Sequence, residues 1–465
     1  MDYDLIIIGS GPGGYVAAIR ASQLKMKVAV VERAELGGIC LNWGCIPTKS
    51  LLKSAQVFEY LTHASDYGIT IKGEVKPDFG AIISRSRNVA GGMSKGVQFL
   101  FKKNNIEHIV GFGRLMGGNK AEVEVEAPDG SKKIYSSRNV ILATGARSKE
   151  LPNLKQDGKK IIGYREAMTL EKQPGSMVVV GSGAIGSEFA NFYQSLGTNV
   201  TLIEFLPRIV PVEDEEVSKQ LERSFKKTGM KVMTSSTVES VDTSKEKCQV
   251  SIKTPKGLEV IEADIVLSAV GITTNIEDIG LEKAGIKTDK GKVVVDDYYL
   301  TSVPGIYAIG DIVHGPALAH VASAEGIICV EKIAGVDVEP LDYKNIPGCT
   351  YTTPEIASCG LTEAAAREAG YEIKVGKFPF TASGKASAAG AKDGFVKLIF
   401  DAAYGELLGA HMIGANVTEM IAEIIVARKL ETTAHEIIKS VHPHPTMSEA
   451  IMEAAAAAYG EVIHL

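Results

Sequence analysis

The sequence predicts an α/β chain with two doubly wound parallel-sheet units, each carrying a small β-meander, followed by a mixed α+β domain. Three observations predict it: a glycine-rich strand-loop-helix segment at the N-terminus, a second copy beginning at Met177, and the loss of that pattern from roughly Tyr343 onward. At 465 residues the chain exceeds a single hydrophobic core and divides into about three domains.

In the first copy, residues 4–8 read as a buried parallel strand, Gly9-Ser10-Gly11-Pro12-Gly13-Gly14 as a loop, the stretch through Leu24 as a helix, and residues 28–31 as a second strand ending at Glu32. Gly9 suits a tight turn, Gly11 a close approach of backbone to pyrophosphate, and Gly14 tight helix packing, with the helix amino end facing phosphate. Glu32 stands where a carboxylate accepts hydrogen bonds from ribose hydroxyls. The second copy runs through residues 177–180, Gly181-Ser182-Gly183-Ala184-Ile185-Gly186, a helix to Leu196 and a strand ending at Glu204, and the acid follows its first glycine at the same interval. One such glycine pattern is a weak signal. Two in matched contexts imply an internal duplication and two Rossmann-like dinucleotide sites.

Alternating residues 121–126 and the hairpin turn Asp129-Gly130 before Ile134 form the first expected meander, which feeds a buried strand at residues 140–145. Residues 231–266, turning at Pro255-Lys256-Gly257, form the second. Residues 301–311 read as a further strand ending in Gly310-Asp311, and the acidic run Glu213-Asp214-Glu215-Glu216 as a solvated helix start.

Of six cysteines, Cys40 and Cys45 make the one tight pair. Their spacing permits an unstrained bridge, and a helix start near Pro47 favours a thiolate. The other four read as small, semi-buried hydrophobes. Because the pair adjoins the first nucleotide unit, FAD is expected there, flavin being the two-electron intermediary between thiols and nicotinamide. Glu204 would repel a 2′-phosphate, so the second unit is expected to take NAD, although Arg208 weakens that preference. No metal site is expected.

With 50 Lys plus Arg against 56 Asp plus Glu, a net charge of -6 and no long basic stretch, the composition argues against nucleic acid as a partner. The N-terminus enters a strand directly, without a basic segment, a membrane-length apolar run or a cleavage-type site, so a cytoplasmic protein is expected.

Gly-Gly-x-Cys-x4-Cys-x-Pro at residues 37–47, both glycine units, Gly310-Asp311, the segment Gly315-Pro316-Ala317-Leu318-Ala319-His320 and the closing residues His442 to Glu449 together resemble the dihydrolipoamide dehydrogenase family of pyridine-nucleotide disulfide oxidoreductases, over essentially the whole chain. Trp43 and Met447 stand where that family often has a smaller apolar residue and leucine. The resemblance implies a discontinuous FAD domain (residues 1–150 and 274–342), an inserted NAD domain (151–273) and a dimerisation domain (343–465) forming a homodimer. It implies Cys40 as the interchange thiol, Cys45 as the charge-transfer thiol, and His444 with Glu449 as a base dyad reaching in from the partner subunit. It places an ion pair beside the flavin at Lys49 and Glu188, a backbone flavin contact at Gly113, and further cofactor contacts at Asp311, Ala319, Val238 and Gly271. The activity implied is oxidation of dihydrolipoyl groups with NAD+, in 2-oxo acid dehydrogenase or glycine cleavage complexes.

Several residues carry plainer readings. His444, like nearby His442, could be a surface histidine. Thr446 and Glu449 fit a helix capping box. Asp311 could cap a helix, Lys49 and Glu188 could be solvated, and His320 reads as a packed histidine. Among alternatives, glutathione reductase would carry arginines near Glu204, mercuric reductase a C-terminal cysteine pair, and NADH oxidases and peroxidases a single redox cysteine. A flavin-bound protein with only an assembly role is the alternative from another class.

Overall fold

The structure, a computed structural model, describes residues 1–117 and 121–465. It divides into two compact units. The first comprises residues 1–50, 80–149 and 271–341, and the second residues 51–79, 150–270 and 342–465.

In the first unit the strands Glu107–Val110, Val28–Glu32, Tyr3–Ile8, Lys132–Leu142 and Ile306–Ala308 lie parallel in that spatial order. Their continuous apolar runs follow from burial on both faces. Leu5, Ile7, Val28 and Val30 enter one core with Ala17, Ala18 and Ala21 of the helix Pro12–Gln23, while Ile6, Ile8, Ala29 and Val31 enter a second with Leu115, Val123 and Val125 of the meander. Strand Lys132–Leu142 joins sheet and meander without a break, because Lys132 to Ser137 pair antiparallel with Ala121–Glu126 before the same strand runs parallel beside Tyr3–Ile8. The strand expected across residues 301–311 is shorter. It spans Ile306–Ala308, then turns at Gly310 (φ 75°) into one helical turn, Gly310–Ile312.

The second unit repeats the plan. Strands Lys231–Met233, Asn199–Ile203, Ser176–Val180, Ile265–Ser268 and Ile161–Ile162 form a parallel sheet, and Thr237–Asp242, Cys248–Thr254 and Gly257–Ala263 an antiparallel meander. Lys231–Met233 therefore belongs to the parallel edge, whereas its alternating pattern suggested the meander. At Asp264 the chain passes from meander to sheet, and the carboxylate accepts from the amide (2.8 Å) and hydroxyl (3.0 Å) of Ser176.

Residues 342–465 form a five-stranded antiparallel sheet in the order Gly348–Thr350, Glu355–Gly360, Leu407–Gly414, Phe395–Asp401, Ile373–Pro379. The alanine-rich helix Glu449–Ala458 lies so close that a Cβ on Gly376 would sit 1.8 Å from the Ala454 carbonyl oxygen, which only small side chains permit. Cys248, Cys329 and Cys359 are buried and Cys349 is half-buried. Among the described residues no helix is long and apolar enough to cross a membrane.

The acidic run starts a helix as expected, but only its second half, Glu215 and Glu216, meets solvent. Asp214 caps the helix Glu215–Lys227 through the Glu216 amide, as the local pattern implied, but Glu213 and Asp214 are buried. The partner of Asp214 is a lysine from the antiparallel sheet. Lys397, 3% exposed, reaches Asp214 (3.1 Å), Glu216 (3.1 Å) and Glu363 (2.8 Å). Sequence could not show this, because Lys397 lies far along the chain in a strand whose other residues are nearly all apolar. Burial raises the Asp214 carboxyl, but Lys397 and the Glu216 amide more than offset it and hold it below the usual range.

Glu213 has no such compensation. Burial pushes its carboxyl up to about 7, against a hydrogen bond with Ser358, and the charge of Asp214 adds to the rise. A carboxyl raised in the folded state binds its proton more tightly there, so its contribution weakens as pH climbs from about 4.5 to about 7 and is level above. Glu213→Gln should flatten that slope and raise stability at pH 8 by up to about 3 kcal/mol, with little change at pH 5. Urea unfolding of both proteins at the two pH values checks it.

Candidate redox and dinucleotide sites

Both glycine loops close on the strands that precede them. A Cβ on Gly14 would lie 2.0 Å from the Gly9 carbonyl oxygen, and one on Gly186 lies 1.9 Å from that of Gly181, so each helix approaches its strand as only glycine allows. Around Gly11 and Gly183, by contrast, a Cβ meets nothing within 4 Å. The helices Pro12–Gln23 and Ala184–Ser195 begin there with their N–H groups unpaired by any side-chain cap. An open backbone face beside two helix amino ends fits a pyrophosphate in each loop.

The acids are held in matching ways. Glu32 accepts from the Ser10 amide (2.9 Å) and hydroxyl (2.8 Å), and Glu204 from the Ser182 amide (2.9 Å) and hydroxyl (2.6 Å). Their other oxygens take backbone amides, of Arg33 and Ala34 in one case and Leu206 in the other. Ser10 and Ser182 are thus site residues that sequence reading passed over, although both loops spell Gly-Ser-Gly. Arg208 donates to the Pro211 carbonyl oxygen (3.2 Å).

Ser10 also anchors the cysteine segment. Its carbonyl and hydroxyl oxygens accept from the Gly37 amide at 3.1 and 3.2 Å, and a Cβ on Gly38 would fall 2.7 Å from the Gly11 Cα. Cys40 lies in the short helix Gly38–Trp43, and Cys45 opens the helix Cys45–Thr62, with Pro47 in its first turn. A hydrogen bond with Cys45, burial and the Cys45 charge push the Cys40 thiol up, while the Lys49 ammonium pulls the other way. The sulfurs are therefore neighbours. Cys45, at the first residue of an 18-residue helix, is the better placed to carry negative charge.

On the other side of the first loop, helix Ala319–Ile333 packs against Pro12–Gln23 through small residues. A Cβ on Gly13 would meet the Ala322 carbonyl oxygen at 3.1 Å and one on Gly326 the Gly13 carbonyl oxygen at 2.7 Å, and Arg20 pairs with Glu331 at 2.6 Å. Ala319 is this helix's first residue. Asp311 lies in the turn just before it, and burial raises its carboxyl while Lys292 lowers it. The buried Glu325 accepts from the Gly310 amide at 2.6 Å, a tie that sequence did not reveal. Asp311 caps no helix through its side chain, and His320 is exposed rather than packed.

Gly113 lies over Ile8 and Val31 at the end of the sheet, and the Gly271 carbonyl oxygen accepts from the Lys149 amide at 3.0 Å. Val238 faces the core beside Val180 and Ile203, and its carbonyl oxygen accepts from Asn153 at 2.7 Å. Glu188 is buried rather than solvated and accepts from the Tyr351 amide at 2.9 Å.

The two C-terminal histidines separate clearly. His442 bonds Glu423 (2.7 Å) and the Ser440 carbonyl oxygen (3.0 Å), with its side chain 7% exposed. His444, 78% exposed, meets Glu449 through Nδ1 at 2.9 Å. The other Glu449 oxygen accepts from the Thr446 amide at 2.8 Å. The capping box is half made, since the Thr446 hydroxyl bonds the Pro443 carbonyl oxygen instead. Burial raises the Glu449 carboxyl, but the Thr446 amide and His444 outweigh it, leaving it below the usual range.

A thiol pair anchored to one dinucleotide loop, with a second such loop in an inserted repeat, defines a two-nucleotide disulfide oxidoreductase. The chain belongs to the pyridine nucleotide-disulphide oxidoreductase family: that family's model matches residues 3–326, and the model of its dimerisation domain residues 346–455. It is 50% identical to a dihydrolipoyl dehydrogenase of Rhizobium etli, with 99% of each chain covered, and 44% identical to that of Bacillus subtilis, with 100% and 99% covered. Among solved structures it is similar to LpdA from Mycobacterium tuberculosis (TM-score 0.91, 28% identity, 97% and 98% covered). It is also similar to the flavoprotein disulfide reductase RclA from Escherichia coli (TM-score 0.87, 25% identity, 98% and 99% covered).

The loop geometry separates two glycine roles. Gly11→Ala leaves the fold intact yet should cut flavin retention at least about tenfold, whereas Gly14→Ala drives a Cβ into backbone and should lower stability by several kcal/mol. Flavin absorbance per chain and thermal midpoints of apo and holo forms distinguish them.

Proposed function

We propose that this chain oxidises dihydrolipoyl groups to lipoyl disulfides and reduces NAD+ to NADH, with FAD as resident cofactor and Cys40–Cys45 as its thiol-disulfide couple. The observation that carries this is the neighbouring sulfur pair on a segment tied through Gly37 and Gly38 to the first dinucleotide loop. Bound FAD supplies the two-electron step that links a dithiol to nicotinamide.

The chain's own residues provide the rest. A substrate thiolate attacks the Cys40 sulfur of the disulfide, displacing Cys45 as thiolate; the second substrate thiolate then attacks the mixed disulfide, releasing lipoyl disulfide and leaving the couple as a dithiol. His444 takes the substrate proton, and Glu449 orients its ring. The exposure of His444 in its own chain suits a base that serves the partner subunit's cysteine pair in a homodimer. Glu32, Gly113, Asp311 and Ala319 hold FAD with the first loop, and Lys49 and Glu188 are the charged residues assigned to the flavin. Glu204, Val238 and Gly271 hold NAD with the second. The residue divisions are 1–150 and 274–342 for FAD, 151–273 for NAD and 343–465 for the dimer interface. Dihydrolipoyl groups on the acyltransferase or carrier protein of a 2-oxo acid dehydrogenase or glycine cleavage system are the substrate, and the cytoplasm the setting.

The test is NAD+ reduction by dihydrolipoamide beside NADPH-dependent reduction of glutathione disulfide on the same yellow protein. Turnover in the first assay and none in the second is expected; the reverse result would end this reading. Within it, His444→Gln should lower kcat with dihydrolipoamide by about 10²- to 10⁴-fold at unchanged flavin content, and Cys45→Ser should abolish turnover.

A further inference from the structure

The helix that carries Cys40 cannot order itself. It has six residues, Gly38–Trp43, with glycine on both sides at Gly37 and Gly44, and an isolated helix of that length is unstable in water. Its inner side is tied by Asn42, whose Nδ2 donates to the carbonyl oxygens of Leu36 (2.9 Å) and Gly38 (3.0 Å). Its outer side is gripped by the 25-residue helix Phe79–Lys103. The Arg87 guanidinium lies over the Trp43 ring, 4.2 Å from its centroid, and donates through Nη2 to the Asn42 carbonyl oxygen. The Trp43 Nε1 reaches Glu35 at 3.4 Å. Two residues earlier on the same long helix, Arg85 donates to the carbonyl (2.9 Å) and hydroxyl (2.7 Å) oxygens of Ser50, on the helix that Cys45 opens. One rigid element thus holds the stretch before Cys45 with one arginine and the stretch after it with the other.

We propose that Arg87 is a positioning residue for the thiol couple, acting through Trp43 and the Asn42 carbonyl to keep the Cys40 and Cys45 sulfurs within bonding reach. The proposal rests on the reading of that pair as the redox couple. Charge is not its route, because the charges that weigh most on the Cys40 thiol are those of Cys45 and Lys49. The grip is one of shape: a planar guanidinium can stack on an indole while donating to a carbonyl in the same plane, and an ammonium cannot do both. Two thiols held together favour the disulfide by effective concentration, so loosening the span favours the dithiol.

The experiment uses the full-length holoenzyme and its Arg87→Gln, Arg87→Lys and Trp43→Val variants, equilibrated with dithiothreitol and its cyclic disulfide, with protein thiols counted at each ratio. All three variants are expected to shift toward the dithiol by about three- to tenfold, equivalent to about 15–30 mV. Arg87→Lys should resemble Arg87→Gln. Turnover with dihydrolipoamide should fall in kcat more than it rises in KM, while NADH oxidation by ferricyanide, which bypasses the thiols, stays within about twofold. An unshifted thiol equilibrium in Arg87→Gln overturns the proposal, as does rescue by lysine or an equal loss of ferricyanide activity. Because dithiothreitol reports on the couple whatever the natural substrate, a wild-type protein inert to dihydrolipoamide would count against the proposed function alone.

Discussion

The contact on which the rest of the molecule depends is the approach of a helix to its own strand at Gly9/Gly14 and Gly181/Gly186. Carbonyl oxygens there lie where any larger side chain would place its first carbon. Each first glycine is equally enclosed from the other side: a Cβ on Gly9 would lie 2.2 Å from the Ala143 carbonyl oxygen, and one on Gly181 2.4 Å from that of Ala269. Strand, turn, helix and the neighbouring strand therefore lock at one point, and the loop middle at Gly11 or Gly183 is left facing outward. A rigid anion cradle results from packing alone, without a charged side chain in the loop.

From that point the two repeats share one more device and then part. Ser10 and Ser182 each hold the acid at the end of the next strand, and each also accepts, through its hydroxyl oxygen, a later amide at 3.2 Å. In the first repeat the donor is Gly37, and the chain leads straight into the cysteine segment. In the second it is Val210, and the chain leads to Asp214, the helix it caps and the buried lysine Lys397. The same anchor thus delivers the neighbouring cysteine pair in one copy and an ionic tie to the antiparallel sheet in the other. The breaking of such a buried pair leaves an uncompensated charge, so the tie is costly to disrupt even where its net contribution is small.

What was legible in the sequence was periodic or repeated. The strands at residues 4–8 and 28–31, the glycine loops, the acids and the cysteine pair all announce themselves by spacing along one stretch of chain, and the second copy confirmed the meaning of the first. What stayed hidden depended on partners distant in sequence. The burial of Asp214 needs Lys397 and that of Glu213 meets Ser358; the ordering of Gly310 needs Glu325; the separation of meander from sheet at Asp264 needs Ser176. Lys231–Met233 was misassigned because a two-sided edge strand and a meander strand alternate alike over three residues. The resemblance to a known family marks candidate functional positions, yet it says nothing of the arginines that grip the cysteine segment, since their place appears only when helix Phe79–Lys103 is folded beside it.

The C-terminal histidines show how local geometry can choose between chemically equal residues. His442 spends both ring nitrogens, on Glu423 and on the Ser440 carbonyl oxygen, and so anchors the loop. Two residues on, His444 uses only Nδ1. Its partner Glu449 cannot turn freely, because its second oxygen is occupied by the Thr446 amide and its backbone opens a helix. An ionised carboxylate only accepts, so Nδ1 must carry the hydrogen, and in the neutral ring the lone pair then belongs to Nε2. The nitrogen turned away from the carboxylate is thus the one able to receive a proton, and the imidazolium that follows is stabilised by the same oxygen that selected the tautomer. The anchor and the proposed base thus differ in exposure and in how many ring nitrogens are engaged, and the Thr446 amide holds the carboxylate that sets the His444 tautomer.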